Sequence, residues 1–230
     1  MKTIGVIGGM SWESTVPYYR DINERVKERL GGLHSASVII YSVDFHDVAA
    51  LQTAGAWDEA GIMMAKAARS LETAGAEIVI LATNTMHEVA PAIEAAIDVP
   101  FIHIADPTAA AIKAAGLSRV GLLGTRFTME RDFYRSRLSE LHGIDVVIPR
   151  DEDRAEVHRV IYEELAKGVL DPGSRRTFGK VIGRLVAAGA EGIVLGCTEI
   201  GLLVGPADSP VPLFDTGALH ARAAVDAAMA

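Results

Sequence analysis

A single cysteine, Cys197, stands in the 230 residues of the chain. No disulfide can form within it, and a disulfide-stapled scaffold is excluded. No apolar run reaches the roughly 18 residues that a membrane span needs. The opening stretch MKTIGVIGGMSWES is broken by glycines and offers no small-residue cleavage site, so nothing in it directs export and a cytoplasmic location is expected. Positive charge is in deficit: 22 Lys and Arg face 30 Asp and Glu, for a formal charge of −8. That balance argues against nucleic acid and against a membrane surface as partners. It also means that an anionic ligand needs locally placed donors. What the chain does have is apolar content, 50% of its residues, which is far too much for a disordered polymer.

Short apolar runs alternate with longer amphipathic stretches. The runs are IGVIG at 4–8, SVIIYSV at 37–43, EIVILA at 77–82, PFIHI at 100–104, RVGLLG at 119–124, DVVIP at 145–149, GIVLG at 192–196 and VPLF at 211–214. Their β-branched content and lack of polar alternation predict buried strands of parallel sheets, with helices between them, so the fold class is α/β. The stretch 14–30 reads as a helix, with Val16, Tyr19, Ile22, Val26 and Leu30 recurring along it and Gly31-Gly32 stopping it.

The chain also repeats itself. AGAEIVILATNT at 74–85 matches AGAEGIVLGCTE at 188–199, GVIGGM at 5–10 matches GLLGTR at 121–126, and VPFI at 99–102 matches VPLF at 211–214. All three pairs lie about 115 residues apart, which predicts two similar α/β halves. The expected boundaries are 1–104 plus a returning C-terminal strand and helix at 208–230 for one half, and 105–207 for the other. A cleft between pseudo-symmetric halves is the expected ligand site. In parallel sheets ligands bind beyond the carboxyl ends of the strands. There the repeat sets Thr83-Asn84-Thr85 in equivalence with Cys197-Thr198-Glu199, and Thr83 opposite the only thiol.

Two proton-transfer groups facing a bound molecule from both sides suit inversion at a carbon stereocentre. Cys197 is the candidate base, since a thiol at a helix N-terminus is drawn toward thiolate. Thr83 is a poor base, which predicts a site biased toward one enantiomer. Plainer readings exist. A lone cysteine after a strand is usually a small core residue, and Thr85-x-x-Glu88 has the form of a capping box. GVIGGM lacks the third spaced glycine of a dinucleotide fingerprint and reads equally as a tight turn. The seven histidines show no metal-ligand spacing, so no metal is expected. His87 and His103 lie near strand ends. Arg126 and Lys167 are candidate carboxylate-binding cations, although such residues are more often solvated surface charges.

Together, IGVIGGMSWEST at 4–15, ATNTMH at 82–87, LLGTRFTM at 122–129 and GCTEIGLL at 196–203 resemble, from end to end, the aspartate/glutamate racemase family of cofactor-independent amino-acid racemases. GGLHSA at 31–36, DFYR at 132–135 and FDT at 214–216 are similar to its subgroup specific for L-aspartate and L-glutamate. The resemblance implies two pseudo-symmetric parallel-sheet domains with the active site in the cleft between them, no pyridoxal phosphate, and a small amino acid as substrate. It implies that Cys197 abstracts the α-proton of the L-substrate, with Thr83 on the face where reprotonation gives the D-product. Most members carry a cysteine at both strand ends, and Thr83 departs from that pattern as the L-specific subgroup does. The implied substrate-binding positions are Met10, Gln52, Thr83, Asn84, Thr85, Thr198 and Glu199. Many aspartate racemases have a Pro-rich loop with an arginine after the second strand. This chain reads VDFHDVAALQ at 43–52 instead, which leaves Gln52, backbone N–H groups and Lys167 as candidates for the distal carboxylate. A monomer or homodimer is expected. The alternatives are a single-cysteine decarboxylase or isomerase of a small dicarboxylate, discriminated by carbon dioxide release, and a non-catalytic ligand-binding module.

Overall fold

The computed structural model describes residues 1–230. The first four strands are β1 (Ile4–Gly8), β2 (Val38–Ser42), β3 (Ile78–Leu81) and β4 (Phe101–Ile102), followed by β5 (Arg119–Gly124), β6 (Asp145–Val147), β7 (Gly192–Gly196) and β8 (Leu213–Asp215). They form two four-stranded sheets, in the orders β2-β1-β3-β4 and β6-β5-β7-β8, with every pairing parallel. Each sheet thus places its strands in the same sequence, which gives the internal repeat its structural form. All eight strands fall on the apolar runs.

Contacts divide the chain into one unit of residues 1–104 with 220–230 and another of residues 105–219. The expectation that the C-terminal strand returns to the first half is corrected. β8 pairs with β7, Ile193 opposite Leu213 and Leu195 opposite Asp215. The reason is topological: β8 occupies in the second sheet the place that β4 takes in the first. Only the segment from His220 onward joins the first unit.

The helices of the first unit are α1 (Trp12–Leu30), α2 (Phe45–Ala54), α3 (Trp57–Thr73) and α4 (Ala90–Glu94). Those that follow are α5 (Ala105–Ala114), α6 (Arg126–Glu130), α7 (Asp132–Ser136), α8 (Asp151–Glu163), α9 (Pro172–Ala187), α10 (Ile200–Leu203) and α11 (Thr216–Met229). The inner strands β1 and β3 are buried along their whole length, and successive side chains leave by opposite faces. Ile78 and Ile80 share a cluster with Ile4, Val6 and, from α1, Tyr18, Ile22 and Val26. Val79 and Leu81 share another with Val48, Met64 and Leu71 of α2 and α3. The α11 stripe of Ala221, Ala224, Val225 and Ala228 completes the first cluster.

The phase of α1 differs from the sequence expectation. Val16, Tyr19 and Leu30 are exposed, and the buried face runs through Thr15, Tyr18, Ile22 and Val26. Tyr18 is held inward because its hydroxyl bonds His220 Nδ1 at 3.0 Å. In the second unit, α8 and α9 pack on β5 and α5 packs on β8. The start of α8 is tied to the end of α9 by Asp153, whose two oxygens accept from Arg184 at 2.6 and 2.7 Å. No helix is long and apolar enough to cross a membrane.

Candidate active site

The carboxyl end of the first sheet is built by close backbone approach. The turn after β1 needs Gly9, which has φ +90°, and a Cβ there would lie 2.3 Å from the Val43 carbonyl oxygen. Its N–H donates to Thr15 Oγ1 at 2.9 Å. GVIGGM is therefore a tight turn closed by the protein's own groups. Met10 follows this turn, 4% exposed, and shares a cluster with Met86. Gln52, on α2, donates from Nε2 to Met86 Sδ at 3.1 Å. Thr83, Asn84 and Thr85 follow β3 and are buried. A 3-10 turn, Thr85–Val89, continues from them with Asn84 in its cap position. Met10, Gln52 and the Thr83–Thr85 segment thus gather at one end of one unit.

A histidine to which the sequence assigned no role holds this segment. His87 Nδ1 lies 2.7 Å from the Thr83 carbonyl oxygen, and the Ile104 N–H donates to His87 Nε2 at 3.2 Å. A carbonyl only accepts and an amide N–H only donates, so His87 is the neutral tautomer with its proton on Nδ1. The ring joins the end of β3 to the residue two beyond β4. The His103 ring meets it edge to face, 4.4 Å between centroids. The sequence signal was the i, i+4 spacing from Thr83 to His87, the reach of a single helical turn.

At the carboxyl end of the second sheet, Gly124 stands beside Gly196 in register. A Cβ on Gly196 would meet the Leu123 carbonyl oxygen at 2.8 Å, so glycine lets β5 and β7 approach. Cys197 comes next and is 8% exposed. Its Sγ donates to Glu199 Oε2 at 3.0 Å, and Thr198 Oγ1 donates to the same oxygen at 2.9 Å. Glu199 is itself buried.

This geometry corrects the expectation of a thiol drawn toward thiolate. Burial, then the Glu199 charge and its hydrogen bond, push the Cys197 thiol well above its ordinary range. The helix invoked to lower it, α10, is a single turn of four residues, too short to carry much of a dipole. At rest the thiol is protonated and points at a carboxylate. The end of β8 braces the same place: Thr216 Oγ1 donates to the Leu195 carbonyl at 2.8 Å. A Cβ on Gly201 would touch Asp215 Oδ2 at 2.5 Å. Burial raises the Asp215 carboxyl, partly offset by the N–H groups of Ala218 and Gly217.

Tyr162, on α8, was missed by the sequence reading. Burial raises its phenol, and the charges of Cys197 and Glu199 add to that while Arg126 opposes it. Lys167 ends a 3-10 turn, Leu165–Lys167, and is exposed. No contact ties its ammonium to Cys197.

The sequence profile of the Asp/Glu/Hydantoin racemase family matches residues 7–224. The chain belongs to this family. Membership carries amino-acid racemisation, an isomerase chemistry, as the family's activity. Among solved structures, a candidate Asp/Glu racemase from Yersinia pestis is 56% identical with a TM-score of 0.92, covering 100% of both chains. An aspartate racemase homologue from Pyrococcus horikoshii is 36% identical with a TM-score of 0.85, again over 100% of both. A glutamate racemase of Streptococcus agalactiae is 30% identical over 162 residues, which are 66% of this chain and 58% of that relative. The racemase-family chain described here therefore shares its two parallel sheets with solved relatives along its whole length.

Proposed function

We propose that this chain converts L-aspartate, L-glutamate or both to the D-form by two-base proton transfer without a cofactor. The observation that carries the reading is the buried Cys197–Glu199 pair at 3.0 Å, at the end of the third strand in sheet order. Thr83 follows the strand in the same place of the other sheet. In this reading Glu199 accepts the thiol proton once substrate is bound against the pair. The thiolate then removes the α-proton: the Cα–H bond breaks, its electron pair remains on Cα, and S–H forms. A proton from Thr83, directly or through water, reaches Cα from the opposite face as a solvent proton returns to the Thr83 oxygen, and Glu199 releases to solvent the proton it took from the thiol. Strand-end backbone N–H groups stabilise charge growing on the α-carboxylate, and exclusion of water strengthens them.

A raised thiol suits this sequence of events. It keeps the base neutral until substrate arrives, and a strongly basic thiolate is what a weakly acidic α-proton requires. The hydroxyl of Thr83 passes on a proton more readily than it abstracts one, so the L-enantiomer is the better substrate. In deuterium oxide the protein alone washes deuterium into the α-position of L-aspartate or L-glutamate and accumulates D-product. Unchanged substrate refutes the reading. Cys197→Ser removes both signals, and Thr83→Cys raises turnover of the D-enantiomer. A Cys197→Ser protein that still exchanges the α-proton assigns the base elsewhere.

A further inference from the structure

A cation near the site would favour a dicarboxylic amino acid in so acidic a protein, and most arginines of the second unit are already committed. Arg137 is held by Asp106, Arg154 by Glu130 and Asp151, Arg159 by Glu156, and Arg175 by Asp208. Arg126 has no carboxylate partner. It opens α6 two residues past Gly124, and Gly124 stands in register with Gly196, the residue before Cys197. Its backbone N–H donates to His158 Nδ1 at 3.2 Å, and its guanidinium lies 5.7 Å from the Phe127 ring centroid. The base of the side chain is therefore fixed while its charged end reaches solvent. Neighbouring strands lie about 4.8 Å apart, so Arg126 extends from the strand next to the thiol, about one strand spacing to its side.

We infer that Arg126 binds the side-chain carboxylate of the substrate, and that it, rather than Lys167, sets the preference for an acidic amino acid. The inference rests on the proposed racemase site. A substrate whose Cα–H meets Cys197 Sγ extends its side chain laterally, where a planar guanidinium grips a carboxylate through two parallel hydrogen bonds. The field of Arg126 is felt in this region: it counts among the causes that keep the His158 imidazolium disfavoured, after burial, and it opposes the rise of the Tyr162 phenol. Glu199 makes the immediate surroundings of the thiol negative. The cation one strand away is thus the counterweight that lets a second negative charge enter.

The test uses the full chain and two separate readouts. Calorimetric titration with L-aspartate, L-glutamate and L-asparagine compares the wild type with Arg126→Gln and Arg126→Lys, with circular dichroism confirming that each variant folds. Arg126→Gln is expected to lose about 10- to 100-fold in affinity for the acidic ligands, the size of a charge-assisted pair. Asparagine loses far less, so the acidic-over-neutral ratio collapses. Arg126→Lys recovers part of it, and Lys167→Gln leaves the ratio standing. An unchanged ratio in Arg126→Gln overturns the assignment, as does a wild type that binds neither acidic ligand. Solvent deuterium exchange is scored independently. Binding that depends on Arg126 without exchange refutes the racemase reading and retains the carboxylate site, whereas exchange with an unaltered ratio does the reverse.

Discussion

Replacing Glu199 with glutamine removes the negative charge nearest the only thiol while preserving the shape of the side chain. The distance from Sγ to Oε2 is 3.0 Å. Between an effective dielectric of about 20 and that of water, about 80, the repulsion of a thiolate and a carboxylate at this separation runs from about 5.5 to about 1.4 kcal/mol. At about 1.4 kcal/mol per unit, the thiol should ionise at least about one pH unit lower in Glu199→Gln. The assay is direct because the chain has one cysteine. The rate of alkylation by iodoacetamide, followed by mass spectrometry across pH 6–11, reports the thiolate fraction with no background from other thiols. A midpoint unchanged or raised in Glu199→Gln refutes the electrostatic account of Cys197. The same variant separates two roles of Glu199. If it only raises the thiol, exchange of the substrate α-proton speeds up. If it also accepts the thiol proton, as proposed, kcat falls although more thiolate is present at rest.

Other predictions follow from the geometry of each unit. His87→Phe leaves the Thr83 carbonyl and the Ile104 N–H buried without this partner, at a cost of about 2–4 kcal/mol in urea unfolding, and His87→Gln recovers part of it. Because burial and Glu199 raise the Cys197 thiol, its contribution to stability is complete below the unfolded value of about 8.5 and is lost as pH rises toward the folded value. Thermal melts should fall from about pH 8.5 upward, and Cys197→Ala should flatten the first part of that decline. Asp153 behaves in the opposite sense. Burial raises its carboxyl, but hydrogen bonds and charges from Arg184 and Arg150 outweigh this and hold it low, so its stabilisation is present above about pH 4 and lost on acidification. Asp153→Ala should cost about 1–3 kcal/mol near neutral pH and little at pH 2–3.

The sheets were legible because a parallel strand buried on both faces leaves an uninterrupted apolar run. The repeat was legible because strand ends carry their chemistry at a fixed offset. Three things were not. The phase of α1 depends on Tyr18 finding His220, a partner 202 residues away, and an apolar tally cannot register a polar anchor. The place of β8 depends on which sheet has an open edge, which no local pattern in VPLF encodes. The state of Cys197 turned on whether the neighbouring carboxylate or a helix end dominates, and that required knowing that the helix stops after four residues and that Glu199 folds back onto the sulfur. Tyr162 was not legible either, because its place near Cys197 and Glu199 depends on how α8 packs on β5.

The discontinuity of the first unit has a consequence for the order in which the molecule assembles. Residues 105–219 form a contiguous insertion, and the first unit resumes only at His220. Until α11 is made, the face of β1 and β3 carrying Ile4, Val6, Ile78 and Ile80 lacks its cover of Ala221, Ala224 and Val225. The Lys2 N–H also awaits the Ala228 carbonyl at 2.8 Å. Synthesis therefore delivers a complete second unit before this one cluster of the first can close. Closing so long a loop adds little entropy beyond that of a short one. The burden is one of time: a sheet face already lined by Tyr18, Ile22 and Val26 of α1 waits for its second helix through the making of an entire further unit.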